Sequence, residues 1–333
     1  DLGCEMDCIY LPQLLKAENY CAEKLKKLAS VPAEDYLYRR IWYERQRSGN
    51  PDLSVDVSGM AEELGIQYDD VQLYAIRTAA ASKGMVLTGG PGTGKTTVTQ
   101  GIIEVFKKFK LRILLAAPTG RAAKRASEST GMEAKTIHRL LGYSGSGTFE
   151  HNEEHPLEGD VLIIDESSMV DLRLMNSLLK AVPENMRLIL IGDINQLPSV
   201  GPGTVLKDII DSGVFPVVRL TKIFRQAAES HIITNAHRIN DGLFPVIDDS
   251  DPKNDFFLEM MDKKGEKLEA SEIAERTAQA IIKHLTDTIP NQYHIQPKDI
   301  QILAPMRNGS AGTIALNKLA QEALNPEGPS IAF

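Results

Sequence analysis

Residues 89–97 read Gly-Gly-Pro-Gly-Thr-Gly-Lys-Thr-Thr, and this run with its flanks constrains the fold more than any other part of the chain. Met85 to Thr88 before it is a short apolar stretch suited to a buried strand, and Val98 to Phe109 after it carries apolar residues at helical spacing. A Gly-x-x-x-x-Gly-Lys-Thr loop between a strand and a helix is a phosphate cradle. Its glycines let backbone N–H groups turn toward a ligand without Cβ clashes, and the helix beginning near Lys95 offers its positive dipole end. The expected ligand is a nucleoside triphosphate lying along Gly90, Pro91, Gly92, Thr93, Gly94, Lys95, Thr96 and Thr97. Lys95 is placed to reach the β and γ phosphates. Thr96 is placed to give its hydroxyl to Mg²⁺, a hard cation that wants oxygen ligands.

The rest of the chain sets that loop in an α/β framework. Apolar runs at Arg112 to Ala117, Val161 to Ile164 and Arg187 to Ile191 alternate with helical stretches, which predicts a parallel sheet with helices on both faces. Ahead of it, Leu11, Leu14, Leu15, Cys21, Ala22, Leu25 and Leu28 recur at helical spacing, so residues 11–29 read as an amphipathic helix. Further helices are expected over Pro32 to Arg47 and Ser58 to Leu64, making residues 1–65 a helical N-terminal region. A composition break at Asp211 to Pro216 suggests that residues 66–216 form one domain. Val217 to Leu220 then reads as the first strand of another unit, with Ile300 to Ala304 as its second strand after a helix near Ser271 to Leu285.

Composition narrows the setting. The chain has 333 residues, 42% of them apolar, in runs far shorter than the roughly 20 residues that cross a bilayer, so no membrane partner is expected. Cys4, Cys8 and Cys21 are too few for a disulfide framework and suggest a reducing cytoplasm. The start lacks both an initiator Met and a signal pattern, which suggests an origin inside a longer protein. A net charge of −8 gives no global nucleic-acid signature, so local patches must carry one. The clearest patch is Arg121, Lys124 and Arg125, continued by Lys135 and Arg139.

Two acids close the run Asp160-Val-Leu-Ile-Ile-Asp165-Glu166. Downstream of a phosphate loop, the first such acid holds the metal and the second polarises the attacking water, so Asp165 is the candidate metal ligand and Glu166 the candidate base. Leu188 to Ile191 leads into Gly192-Asp-Ile-Asn-Gln196-Leu-Pro198 at the sheet edge where ligands bind, making Gln196 a γ-phosphate sensor. Arg225, within Leu220-Thr-Lys-Ile-Phe-Arg-Gln226, can stabilise charge on the transferring phosphoryl group or simply pair with a surface acid. Gly142 to Pro156 is rich in turn residues, with Tyr143 and Phe149 on either side of a Gly/Ser tip, and reads as a projecting hairpin. His151, Glu153, Glu154 and His155 read as its solvated base rather than as a zinc site.

Seven ordered blocks together resemble superfamily 1B DNA helicases of the RecD/TraA family, over roughly residues 60–326. They are Tyr68 to Gln72, the phosphate loop with Ala117 to Lys124, Thr136 to Leu141, Asp165 to Met169, Gly192 to Pro198, Phe224 to Gln226, and Ala304 to Gly309 followed by Leu316-Asn317. Residues 1–65 are similar to the helical leader of stand-alone RecD-like helicases. The resemblance implies two RecA-like motor domains, the second beginning at residue 217, and an ATP- and Mg²⁺-dependent monomeric motor. That motor would move 5′ to 3′ on single-stranded DNA, open single-strand/duplex junctions in repair or recombination, and meet single-strand-binding or repair proteins. It implies that Gln72 reads adenine. It places Pro118, Thr119 and Gly120 on single-stranded DNA, with Arg121, Thr136 and His138 nearby, and makes residues 142–157 a strand-separating pin carrying Tyr143 and Phe149. The family's final DNA-contacting block, Gln-Gly element and last arginine are not in this chain, so a truncated second motor domain, 217–333, is expected. A reading of another class remains beside it: a phosphate-loop ATPase switch, clamp-loader-like, acting on protein partners.

Overall fold

The computed structural model describes residues 10–30, 47, 65–145, 147–224, 229–248, 250–251, 253–262 and 268–328. Six strands form one parallel sheet: β1 (Gly84–Gly89), β2 (Ile113–Ala117), β3 (Ala134–Thr136), β4 (Val161–Ile164), β5 (Arg187–Gly192) and β6 (Val217–Leu220). Their spatial order is β3-β2-β4-β5-β1-β6. The helices beside them are α1 (Pro12–Ser30), α2 (Asp70–Ala81), α3 (Lys95–Lys108), α4 (Gly120–Thr130), α5 (Ile137–Leu140), α6 (Leu172–Ala181), α7 (Val205–Ser212) and α8 (His231–Asn240).

Strand alternation divides the interior into two cores. Val86, Ala116, Leu162, Ile164, Leu188 and Leu190 point to one face and pack with α1, α6 and α7. Met85, Leu87, Leu115, Val161, Ile163, Ile189 and Ile191 point to the other and pack with α2 and α3. A strand buried on both faces must be apolar throughout, which is why these runs lack the alternation of half-exposed strands. The resulting architecture is a parallel α/β sheet with helices on both faces and the phosphate loop following β1, an interior strand.

The expected helix at 11–29 is present as α1, burying Ala17, Cys21, Leu25 and Leu28. It is part of the first core rather than a separate layer, and Tyr20 donates from its hydroxyl to Glu153 at 2.8 Å. The helices expected over 32–47 and 58–64 lie outside the described residues, apart from a helical Arg47. The boundary expected at 216/217 needs correction. Val217–Leu220 does form a strand, but it pairs in parallel with β1, from Val86↔Val217 to Gly89↔Leu220. It therefore completes the first sheet, and the chain divides into compact units at 255/256.

In the second unit, residues 256–333, the described elements are helical: α9 (Ala270–Lys283), a π-helical turn (His284–Thr288), α10 (Ile289–Tyr293), a 3₁₀ turn (Pro297–Asp299) and α11 (Thr313–Leu324). Glu269 and Glu272 form a capping box that starts α9. Ile300 to Ala304, expected as a strand, is not one, because no described strand of this unit is there to pair with it.

One buried cation ties the second core together. Arg187 opens β5 fully buried, donating to the carbonyls of Ser82 (2.5 Å) and Ala79 (3.4 Å) at the C-terminal end of α2. Its guanidinium also lies 5.9 Å from the Phe106 ring centre on α3. A cation at a helix C-terminus meets the negative dipole end and the last unpaired carbonyls together. Arg187→Met should therefore destabilise the first unit by about 3 kcal/mol, since the freed carbonyls have no water to turn to. A lowered urea midpoint at unchanged slope checks this; a midpoint equal to wild type sinks it.

Candidate functional site

The carboxyl ends of β1, β5 and β4 lie side by side and bring the site together. β1 runs into the phosphate loop, where Gly92 and Gly94 adopt left-handed conformations, with φ of 73° and 84°. Thr93 donates from its hydroxyl to the Gly90 carbonyl at 2.8 Å, closing the loop on itself. Lys95, the first residue of α3, donates from Nζ to the carbonyls of Gly89 and Gly90 at 2.5 and 3.0 Å. The loop's curl is thus held from inside by the side chain expected to meet phosphate.

A cleft of about 610 Å³ opens over the loop. Gly90, Pro91, Gly92, Thr93, Gly94, Lys95, Thr96 and Thr97 line it, and Asp165, Glu166 and Gln196 face them. These predicted nucleotide and catalytic residues are therefore brought together. Several lining residues are not among those the sequence assigns to this site, Arg125, Phe224 and Ile233 among them. Arg125 was read as part of a nucleic-acid patch, whereas α4 starts after β2, next to β4, and turns Arg125 toward the acids. Phe224 and Ile233 come from the chain after β6, which the expected boundary had assigned to another domain.

Burial governs the electrostatics. Desolvation pushes Asp165 above the usual carboxylate range, against the hydrogen bond it accepts from the Glu166 N–H (2.9 Å) and the pull of Arg125 and Lys95. Desolvation and then the neighbouring Asp165 push Glu166 up. Burial lowers Lys95, opposed by Asp193, Glu166 and Asp165. Glu166 itself sits in the left-handed region with φ 51°, an uncommon place for a residue with a Cβ.

Among the described residues no three His, Cys, Asp or Glu side chains converge closely enough to hold a metal unaided. The donor chemistry still fits Mg²⁺ arriving on phosphate oxygens. Asp165 and the Thr96 hydroxyl would hold it, and among the described residues the carboxylates Asp165, Glu166 and Asp193 outnumber the cations Lys95 and Arg125.

Gln72 sits differently from the rest. It is 2% exposed and does not line the cleft. Its Oε1 accepts from the Asp69 N–H (3.1 Å) while its own N–H donates to Asp69 (2.9 Å), a capping box that begins α2. A Cβ placed on Gly94 would lie 2.4 Å from Gln72 Nε2, so this amide backs the phosphate loop. Arg225 lies outside the described residues.

A second cleft, about 980 Å³, adjoins the first. Pro118, Thr119, His138 and Phe149 line it opposite Gln196, Leu197, Pro198 and Val200. Leu197 and Val200 are 87% and 108% exposed, which is unusual for aliphatic side chains in a short loop. Gly120, Arg121, Thr136 and Tyr143 do not line it. Thr119 and Thr136 have structural tasks as well, since their hydroxyls cap α4 and α5 by accepting from the Ala122 and Arg139 N–H groups.

The hairpin aromatics do not stand apart. Tyr143 and Phe149 form an antiparallel bridge, with ring centres 5.3 Å apart, and both pack on His138 at 5.5 and 5.9 Å. They face each other from either side of the Gly/Ser run, as the sequence implies, and form one cluster with His138 beside the cleft. At the hairpin's base His151, His155 and Asn152 hydrogen-bond among themselves, as expected for a local turn.

A family model for the AAA domain matches residues 72–202. The chain is 35% identical over 325 residues to the ATP-dependent RecD2 DNA helicase of Deinococcus radiodurans, an alignment covering 96% of this chain and 39% of that protein. It is 40% identical over 226 residues to the RecBCD enzyme subunit RecD of Mycobacterium tuberculosis, covering 61% of this chain and 37% of that one. The chain thus spans about two fifths of the length of these relatives. Among solved structures, the Pif1 helicase of Candida albicans aligns at 25% identity with a TM-score of 0.43, over 54% of this chain and 45% of that one.

Proposed function

We propose, on the premise that this chain is RecD-like in sequence along nearly its whole length, that it is the nucleotide-hydrolysing core of an ATP-dependent DNA helicase. The observation that carries this reading is the position of Gln196, which lines both the nucleotide cleft and the adjoining cleft. One short loop therefore senses both ligands, as a motor requires and a plain phosphate-binding protein does not. The fuel is ATP, and the Mg²⁺ chelated to it supplies charge neutralisation on the phosphates. Lys95 steadies the β and γ phosphates, Glu166 draws a proton from the attacking water, and Gln196 meets the γ-phosphate.

Single-stranded DNA lies in the second cleft, along Pro118, Thr119, His138 and Phe149. Arg121 at the start of α4 attracts its phosphates, and Tyr143 stiffens the aromatic cluster. Gly120, where nothing would meet a Cβ, leaves room for backbone to approach the strand. Gln72 supports the base side of the nucleotide through its remaining Nε2. Arg225 assists charge on the phosphoryl group, and residues after 255 contribute to a second motor domain. Movement 5′ to 3′, action at junctions in repair, contact with single-strand-binding proteins, a monomeric state and a cytoplasmic setting complete the proposal. No described helix is long and apolar enough to cross a membrane.

Linkage provides the test. With a fluorescent oligo-dT, affinity should differ at least about fivefold between the states bound to a non-hydrolysable ATP analogue and to ADP, and Gln196→Ala should remove most of that difference. Nucleotide binding with no response to DNA would overturn the motor reading and favour a switch acting on protein partners.

A further inference from the structure

Asp193 enters the site so far only as a negative charge near Lys95 and Glu166, yet its position is unusual. It follows β5, the strand between β4, which carries Asp165, and β1, which carries the phosphate loop. Thr88 on β1 is in register with Gly192 on β5, so Asp193 emerges level with Gly89 at the loop's entrance. The residue is 1% exposed. Its Oδ1 accepts from the Asn195 N–H at 3.0 Å, and its carbonyl accepts from the Gln196 N–H at 3.2 Å. Its Oδ2 is buried with no hydrogen-bond partner among the described residues.

A buried carboxylate oxygen without a donor is costly, the more so when it is charged. The turn to Asn195 explains Oδ1 and leaves Oδ2 unexplained. Among the nearby acids Asp193 acts most strongly on Lys95, and it also acts on Glu166, so its charge is directed into the nucleotide site.

We propose that Asp193 is a third carboxylate of the nucleotide site, its Oδ2 anchoring the hydration shell of the Mg²⁺ that accompanies the triphosphate, so that it sets the site's preference for the chelated nucleotide. Mg²⁺ dehydrates reluctantly and keeps several waters, so an acceptor just outside its ligand set has donors to receive. Such outer partners are commonly worth tenfold or more in metal affinity. The same residue holds Gln196 through its backbone, so metal arrival and the orientation of the shared loop meet at one position.

The proposal rests on the nucleotide reading above and is tested apart from it. Isothermal titration with a non-hydrolysable ATP analogue, with and without Mg²⁺, gives the factor by which the metal tightens binding. Failure of the wild-type protein to bind the analogue would remove the nucleotide reading itself. Given wild-type binding, Asp193→Asn, which keeps an acceptor for the Asn195 N–H, should lose about tenfold of the Mg²⁺ factor while metal-free affinity stays equal or improves. An unchanged Mg²⁺ factor overturns the proposal. So does an equal loss with and without metal, which would assign Asp193 to loop shape alone. Should the Asn variant not fold, Asp193→Ser, which also leaves an oxygen for Asn195, carries the same comparison.

Discussion

Glu166→Gln should cut turnover about 1,000-fold while nucleotide affinity stays within about threefold of wild type. The amide keeps the volume and polarity of the side chain but cannot accept the proton of the attacking water. Binding should survive because the loop, Lys95 and Thr96, the proposed holders of the phosphates, are left in place by the substitution. Burial and the adjacent Asp165 raise the Glu166 pKa, so on acidification it takes up its proton at a higher pH than an ordinary carboxylate. The acidic limb of kcat/KM should accordingly lie above the usual carboxylate range in the wild type. Retention of more than a tenth of wild-type turnover in the Gln variant would remove Glu166 as the base. Its backbone gives an independent check. At φ 51° a Cβ costs about 1–2 kcal/mol, so Glu166→Gly should be inactive yet melt higher than wild type.

Val161–Ile164, apolar and buried on both faces, matches its predicted limits, and so does Val217–Leu220, although its Arg219 is exposed. Which sheet a strand joins is another matter, because parallel pairing is written in no local residue. Val217–Leu220 looked like the start of a new domain and is instead the outer neighbour of β1. β3 has only three residues, too few to show any period, and was missed. Ile300 to Ala304 has the composition of a strand without a described partner.

The site divides the same way. The phosphate loop and the Asp165-Glu166 pair are contiguous in sequence and were readable; Arg125 and Asp193 act there only because β2, β4, β5 and β1 are ordered as they are. A basic triplet on a helix looks the same whether it faces DNA or carboxylates, and only the strand order decides that Arg125 does the latter. For Gln72 the spacing Asp69-x-x-Gln72 was itself a signal, that of a capping box, and it explains why one side of the amide is already committed to backbone.

That commitment makes Gly94 hard to replace. Gly94→Ala should weaken nucleotide binding at least about 30-fold, through two effects that add. The left-handed φ of 84° disfavours any side chain by about 1–2 kcal/mol, and α3 begins at the next residue, so the backbone cannot relax without moving Lys95. The new methyl would also stand 2.4 Å from Gln72 Nε2 and 3.2 Å from the Phe224 ring. Gln72 cannot swing aside freely, because its Oε1 and its N–H are both bonded to Asp69. The two causes separate in a double variant. Gln72→Ala removes the clash but not the strained backbone, so Gly94→Ala with Gln72→Ala should recover part of the loss and never all of it. Calorimetric titration of the four proteins with an ATP analogue measures this. Full recovery would mean that the left-handed conformation is dispensable, and no recovery that Gln72 does not press on the loop; either result would break the argument that this buried amide sets the shape of the phosphate cradle from behind.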